Sequence, residues 1–175
     1  MNLIFALLIV TLIAGISDIL TGKIRNWLSY TVGVGAFVFH TTQGIIPSVI
    51  CLSSMIVVLM IMYPIFSKGW LKGGDVKMIV ACCGLVSFPV LISFLLYTMF
   101  AGGILAIFVA WRYGTLHQTI KSVSSVTHPL MYGVVPTELP FTTRKIPYGV
   151  AIFFGAVITI VSANVIHSLP SLRIA

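Results

Sequence analysis

Two aspartates stand at the edges of long apolar runs in a chain that has only three acidic residues. Asp18 closes the first apolar run, and Asp75 opens the fourth, directly after Gly73-Gly74. When two carboxyl groups lie within contact distance, their repulsion keeps one protonated, so the pair offers one acid and one base. Such a pair can activate water and polarise a carbonyl, which is peptide hydrolysis without a covalent intermediate. The two aspartates are therefore candidate catalytic residues if the fold brings them together.

Each of these residues also has a structural interpretation. Asp75 suits the N-cap of a helix, where a carboxylate bonds backbone N–H groups and complements the helix dipole. Asp18 could be an interfacial residue paired with Lys23 or another nearby lysine. Gly73-Gly74 would permit a tight turn and a close backbone approach, against which a peptide substrate could lie. The residues alone leave the catalytic pair and the structural roles open.

The composition indicates a membrane protein. The chain is 59% hydrophobic and only 7% charged, whereas a soluble domain carries about 25% charged residues. Its apolar runs of about 20 residues are typical of membrane-spanning helices. The sequence lacks the alternation over about ten residues that marks a membrane β-strand. We expect an all-α polytopic membrane protein with about six transmembrane helices.

Six apolar runs support this expectation and position the two aspartates. Pro64 is expected to kink or end the third helix, and the polar stretch 40–44 is expected to form a turn. The fourth run would be only about 16 Å long as a helix, too short to cross a membrane by itself. The runs cover about residues 3–20, 27–39, 47–66, 76–86, 90–111 and 146–166.

The distribution of the basic residues predicts how the chain is oriented in the membrane. Six alternating crossings place all of them except Arg173 on one side, which the positive-inside rule makes cytoplasmic. Both termini are then expected outside the cytoplasm, and both aspartates at the cytoplasmic face of the cell inner membrane. Three tryptophans lie next to the expected cytoplasmic boundaries, as indole rings favour: Trp27, Trp70 and Trp111. The basic residues of this side are Lys23, Arg25, Lys68, Lys72, Lys77, Arg112, Lys121, Arg144 and Lys145.

We interpret residues 1–175 as one membrane-embedded domain with a polar cytoplasmic segment at about 112–145. This segment holds the third acid, Glu138. The net charge of +7 does not predict a nucleic-acid partner, because the basic residues occupy the gaps between apolar runs. The sequence also lacks His-Glu-x-x-His and Gly-x-Ser-x-Gly motifs.

Neither a metal site nor a cofactor is expected. The histidines are interpreted as surface or interfacial residues; they are His40, His117, His128 and His167. The three cysteines lie inside apolar runs without a Cys-x-x-Cys pair and are interpreted as small buried hydrophobic residues: Cys51, Cys82 and Cys83.

Three motifs in order resemble those of the type IV prepilin leader peptidases, which are membrane aspartic proteases of the Gly-x-Gly-Asp class. The short chain is most similar to the Flp/Tad branch, which lacks the methyltransferase segment of larger relatives. The three motifs are Asp18 with the following Ile24-Arg25-Asn26-Trp27-Leu28, then Gly73-Gly74-Asp75-Val76-Lys77, and finally Lys145-Ile146-Pro147-Tyr148-Gly149-Val150-Ala151-Ile152.

This resemblance implies an aspartic endopeptidase in which Asp18 and Asp75 are catalytic. Its implied substrates are prepilins or pseudopilins, whose short basic leader is cut at the cytoplasmic face where a hydrophobic helix begins. The bilayer is an implied partner, and the pilus-assembly machinery is a further candidate. Lys77 lies about 200° around a helix from Asp75, so we expect it to snorkel rather than pair. The residues implied as substrate-loop or structural support are Gly73, Gly74, Lys77, Asn26, Pro147 and Gly149.

Two positions depart from the family pattern, and other functions compete. Lys72 stands where the first glycine of Gly-x-Gly-Asp is expected, and Arg25 where the proline of Ile-Pro-Asn is expected. One alternative is a small transporter or channel subunit with Asp18 and Asp75 as proton or cation sites. A non-catalytic membrane scaffold, which needs neither aspartate, is another.

Overall fold

A computed structural model describes residues 2–69, 71–86, 88–112 and 147–168. These ranges contain helices and connections but no strand, which confirms the all-α prediction for them. Most of the polar segment at about 112–145, including Glu138, lies outside the described residues. The helices within these ranges are α1 (Asn2–Thr21), α2 (Asn26–Gln43), α3 (Ile45–Ser67), α4 (Gly73–Cys83), α5 (Phe88–Arg112) and α6 (Tyr148–Ser168).

The chain divides into two compact units, Met1–Gly102 with Pro147–Ala175, and Gly103–Ile146. All packing described below belongs to the first unit. The described part of the second unit is the end of α5.

Three described helices are long and apolar enough to cross a membrane: Leu3–Thr21, Ile45–Ser67 and Val90–Arg112. α6 contributes a shorter apolar stretch, Tyr148–Ala163. The helices also expose large apolar side chains, such as Ile9, Leu20 and Met60, the last two with 77% and 69% of their surface accessible. Apolar faces this extensive need an apolar surrounding, which indicates a membrane protein. That the chain crosses six times stays a prediction.

α4 is the most enclosed helix of the described structure. From Asp75 to Cys83 every side chain except the half-buried Lys77 is buried. α4 packs against α2 and α3 and also touches α1 and α6, while α1 packs along α6. With 11 residues it extends only about 16 Å. A short helix with apolar side chains all round is satisfied by neighbouring helices rather than by lipid.

One predicted helix end needs correction. The turn expected at 40–44 is confined to Gly44, whose φ of 128° favours glycine, because α2 continues to Gln43. Thr41 and Thr42 fit this last turn because their hydroxyls donate to carbonyl oxygens three residues earlier, at 2.6 and 2.7 Å. α3 contains Pro64 and ends at Ser67, close to the expected limit.

The expected tight turn at Gly73-Gly74 is wrong, because these glycines are the first two residues of α4. In the connection between α3 and α4, the residue with a left-handed backbone conformation is Gly69, with a φ of 74°. The expected close backbone approach is present: a Cβ on Gly74 would lie 3.0 Å from the carbonyl oxygen of Ile24. Gly74 therefore serves the contact between the α1–α2 connection and the start of α4.

Contacts at both ends of α4 show how the helices alternate. At its start, Lys72 Nζ donates to the carbonyl oxygen of Gly22, at 3.2 Å, just after α1 ends. At its far end, the carbonyl oxygen of Gly84 lies 3.1 Å from His40 Nε2 and 3.6 Å from Cys51 Sγ. The end of α1 and the start of α4 therefore share one end of the unit, as the alternating arrangement requires.

Small residues also allow α5 to approach α6. Gly102 is one of them: a Cβ there would lie 2.6 Å from Tyr148 Oη, whereas a Cβ on Gly103 would have nothing within 4 Å. A tighter contact lies at Gly155, where an added Cβ would meet the backbone of Thr98 at 2.7 Å from Cα and 2.8 Å from N. Small residues at such crossings are a common device of membrane helices.

We predict that Gly155→Ala destabilises the protein by about 1–3 kcal/mol, because the added methyl group meets backbone atoms that cannot rotate away. The measurement is the thermal unfolding midpoint of purified protein in detergent. Gly35→Ala is the matched control, since Gly35 lies within α2 with nothing within 4 Å of an added Cβ. The control should be neutral or stabilising by up to about 1 kcal/mol. Equal midpoints for the two variants would contradict the close crossing.

Candidate active site

Asp18 lies in the last turn of α1 and is almost completely buried, with 1% of its surface exposed. Its Oδ2 accepts a hydrogen bond from the backbone N–H of Gly149, at 2.7 Å. Its Oδ1 is also buried and has no hydrogen-bond partner among the described residues. The hydrogen bond thus holds Oδ2 in place, whereas Oδ1 is available to accept a further hydrogen bond.

The first turn of α6 supplies that N–H. The amides at the start of a helix have no partner within the helix and carry a partial positive charge, which suits them to a carboxylate. Gly149 reaches Asp18 because it lacks a side chain: an added Cβ would lie 2.8 Å from Asp18 Cβ and 2.9 Å from the carbonyl oxygen of Ala14. Pro147 precedes the helix, and its carbonyl accepts from the N–H of Val150 at 3.1 Å.

Asp75 lies in the first turn of α4, outside the three helices long enough to span a membrane. It is 2% exposed. The N-cap interpretation is wrong, because the cap position belongs to Lys72, which has extended backbone and no side-chain cap bond. Burial raises the pKa of the Asp75 carboxyl, and the charge of Asp18 raises it further. The Lys72 ammonium and a backbone hydrogen bond from Lys72 act in the opposite direction.

The electrostatic influence of Asp18 on Asp75 shows that the fold brings the two carboxyl groups near each other. Two connections hold them there. The segment after α1 lies on the start of α4 through the Lys72 bond to Gly22 and through the contact between Gly74 and Ile24. Aspartates from separate helices therefore share one buried site, and the site has the acid and base groups that water-mediated hydrolysis requires.

Tyr148 belongs to the same neighbourhood and was missed by the sequence reasoning as a site residue. Its ring packs against Gly102, and it interacts electrostatically with Asp75. The first two residues of α6 thus each interact with one aspartate. Gly149 donates its N–H to Asp18, and Tyr148 interacts electrostatically with Asp75. The sequence offered one sign of this role, the position of Tyr148 beside Gly149 in the third motif. No spacing rule, however, connects Tyr148 to Asp75.

A sequence profile of the type IV leader peptidase family matches residues 5–107, which is more than half of the chain. The chain belongs to the type IV leader peptidase family. The suspected resemblance is confirmed at this level, and membership implies a peptidase. No match was found among curated proteins or among solved structures. The profile covers α1 to α4 and both aspartates, whereas α6 with Gly149 lies beyond it.

The other residues expected to support the site of this peptidase are spread more widely. Lys77 points its Nζ at the Tyr30 ring of α2, 5.2 Å from the ring centre. Asn26 is exposed as the first residue of α2. Gly73 packs against the Phe66 ring, which would lie 3.3 Å from an added Cβ. Lys77 and Gly73 thus each have a neighbour other than Asp18 and Gly149, and Asn26 lies at the surface.

The two departures from the family pattern have backbone conformations that tolerate them. Lys72, where glycine is expected, has φ −77° and ψ 150°, an extended conformation open to any residue. Arg25, where proline is expected, has φ −68° and ψ 130°, which coincides with the φ that a proline ring imposes. Neither substitution therefore strains the backbone at its position.

We predict that Arg25→Pro folds normally and is more stable by about 0.4–1 kcal/mol, because proline restricts the unfolded chain at a φ already adopted. The measurement is again the thermal unfolding midpoint in detergent. Gly74→Ala is the contrasting variant, since its added Cβ would press on the carbonyl oxygen of Ile24, and we expect a loss of about 1 kcal/mol or more. A destabilised Arg25→Pro protein would show that the loop differs from the one described.

Proposed function

We propose that this peptidase is an aspartic endopeptidase that removes the short basic leader from type IV or Flp-like prepilins. Asp18 and Asp75 activate a water molecule for attack on the scissile peptide bond. The observation that carries the proposal is the pair itself: two buried carboxyl groups from separate helices, electrostatically coupled, in a member of a leader peptidase family.

The distribution of basic residues supports a location in the inner membrane with the site at the cytoplasmic face. Lys23 and Arg25 follow α1, while Lys68 and Lys72 precede α4, so these four cations flank the end of the unit that holds both aspartates. The positive-inside rule assigns such an end to the cytoplasm. In the proposed topology the chain passes back and forth six times, α4 is enclosed by other helices, and both termini lie outside the cytoplasm.

This location suits a prepilin substrate. A basic leader stays in the cytoplasm, the following hydrophobic helix lies in the bilayer, and the bond between them falls at the membrane boundary. Asp18 and Asp75 lie at helix ends, at that same boundary in the proposed topology. Membership of a peptidase family weighs against the transporter and scaffold alternatives.

We predict that Asp18→Asn and Asp75→Asn each abolish leader removal when the peptidase is produced together with a candidate Flp-type prepilin. An amide can neither take the proton from water nor donate a carboxyl proton, so either change removes one half of the pair. The measurement is the gel shift that accompanies leader loss, with the new N-terminus identified by mass spectrometry.

Glu138→Gln is the matched control, because it neutralises the remaining acidic residue of the chain without touching the pair. Its processing should equal that of the wild-type enzyme. Normal processing by either aspartate variant would exclude the two-aspartate mechanism.

We predict that cysteines placed at Lys23, Lys72 and Lys121 react with a membrane-impermeant thiol reagent only from the cytoplasmic side. Thr42→Cys is the opposite control, because Thr42 is exposed near the far end of α2. The natural cysteines Cys51, Cys82 and Cys83 are free and buried, so they give a low background. Labelling of the three lysine positions from different sides would overturn the topology.

A further inference from the structure

The two oxygens of the Asp18 carboxylate have different surroundings. Oδ2 accepts the hydrogen bond from the Gly149 N–H, which fixes the plane and direction of the group. Oδ1 is buried and unpartnered among the described residues. A buried polar atom without a partner is rare in native proteins and calls for a functional or structural reason. An oxygen with both lone pairs available, held in position by its twin, is suited to accept a proton.

The Gly149 N–H lies at the start of α6, where the helix dipole adds partial positive charge. A backbone amide in this position is a strong donor to a carboxylate oxygen. The contact therefore fixes Oδ2 and leaves Oδ1 as the oxygen of Asp18 that can act on a water molecule.

Asp75 has the opposite surroundings. The groups that face it are Asp18 from α1, Lys72 immediately before α4, and Tyr148 from α6. Burial and the negative charge of Asp18 favour the protonated form of Asp75, and they outweigh the ammonium of Lys72, because the resulting pKa is raised. The pair is thus asymmetric: a backbone donor holds Asp18 at Oδ2, whereas the surroundings of Asp75 favour its protonated form.

We propose that Asp18 is the general base, acting through Oδ1, that Asp75 is the general acid, and that the Gly149 N–H is the positioning group that sets this division of roles. The proposal rests on the proposed function for its reaction, but the assignment concerns the resting site. Gly149 lies beyond the segment matched by the family profile, so the assignment follows from the contacts of this chain.

The reaction balances with these roles. Asp18 Oδ1 takes a proton from water as the water oxygen bonds to the scissile carbonyl carbon. The carbonyl oxygen takes the proton of Asp75, which gives a neutral gem-diol. Asp18 then returns its proton to the peptide nitrogen as the C–N bond breaks, and one diol hydroxyl gives its proton to Asp75. The products are a carboxylic acid and an amine, and both aspartates return to their starting states.

The test uses the scarcity of acids in this chain. Protein labelled with ¹³C at the aspartate side-chain carboxyl carries only two such signals, since the third acid is Glu138. Asp18→Asn and Asp75→Asn, checked for folding by circular dichroism, each remove one signal and so assign both. The full-length protein in detergent micelles is then titrated from about pH 8 to about pH 3, which spans the ordinary carboxyl range and values above it.

We predict that the Asp75 signal moves above the ordinary carboxyl range as the pH falls, because burial and the charge of Asp18 raise its pKa. In Asp18→Asn the Asp75 signal should move at a lower pH than in the wild type, because one cause of its raised pKa is removed. An Asp75 signal that moves within the ordinary carboxyl range, or at an unchanged pH in Asp18→Asn, would overturn the acid role of Asp75. Because the titration uses no substrate, it succeeds or fails independently of any cleavage result.

The role of Gly149 is read in the same protein labelled with ¹⁵N-glycine. Its amide signal should be protected from hydrogen exchange, and Asp18→Asn should shift it strongly, whereas Asp75→Asn should leave it nearly unchanged. Gly35 is the internal reference, since it lies on α2 with nothing within 4 Å of an added Cβ. A Gly149 amide that does not respond to Asp18→Asn would exclude its positioning role.

Discussion

The hydrogen bond from the Gly149 N–H to Asp18 Oδ2 is the interaction on which the site depends. A carboxylate taken out of water is costly unless donors replace the lost hydration, and Asp18 is almost fully buried. The donor comes from the start of α6, which can approach only because position 149 carries no side chain and faces the backbone of Ala14. The close packing of α1 on α6 is therefore a condition for the chemistry, since a wider spacing would leave Asp18 buried without this donor.

The same constraint explains why the site is built from helices distant in sequence. α1 brings Asp18, α4 brings Asp75, and α6 brings Gly149 and Tyr148. α4 can be short because it is enclosed by other helices. The connection after α1 contacts its first turn at Gly74. Burial of α4 thus serves two purposes: it keeps Asp75 away from water, which favours the protonated carboxyl, and it sets the level at which Asp75 meets Asp18. The family profile covers only two of the three contributing helices, so the third is visible only in the fold.

Much of this arrangement could be predicted from sequence, and the failures have definite physical causes. Apolar runs are long and bounded by charges, so the approximate limits of the described helices could be predicted from them. Gly73 and Gly74 were placed in a turn because glycine usually interrupts helices; here close contact with Ile24 and Phe66 outweighs that preference. Tyr148 and the Oδ2 contact of Asp18 depend on how α6 docks, and a pattern along one chain carries no information on which residues meet across helices.

Lys72 replaces the first glycine of the family motif without straining the backbone. The backbone at this position does not require glycine, because it is extended at φ −77° and ψ 150°. A lysine adds two things that glycine lacks: a bond from its ammonium to the Gly22 carbonyl, which ties the segment after α1 to the start of α4, and a positive charge that lowers the pKa of Asp75. Burial and Asp18 pull that pKa upward, and Lys72 limits the rise. An acid catalyst must hold its proton before the reaction and release it during the reaction. A cation at this position keeps Asp75 from binding its proton so firmly that it could not donate it, so the substitution fits the acid role rather than weakening the motif.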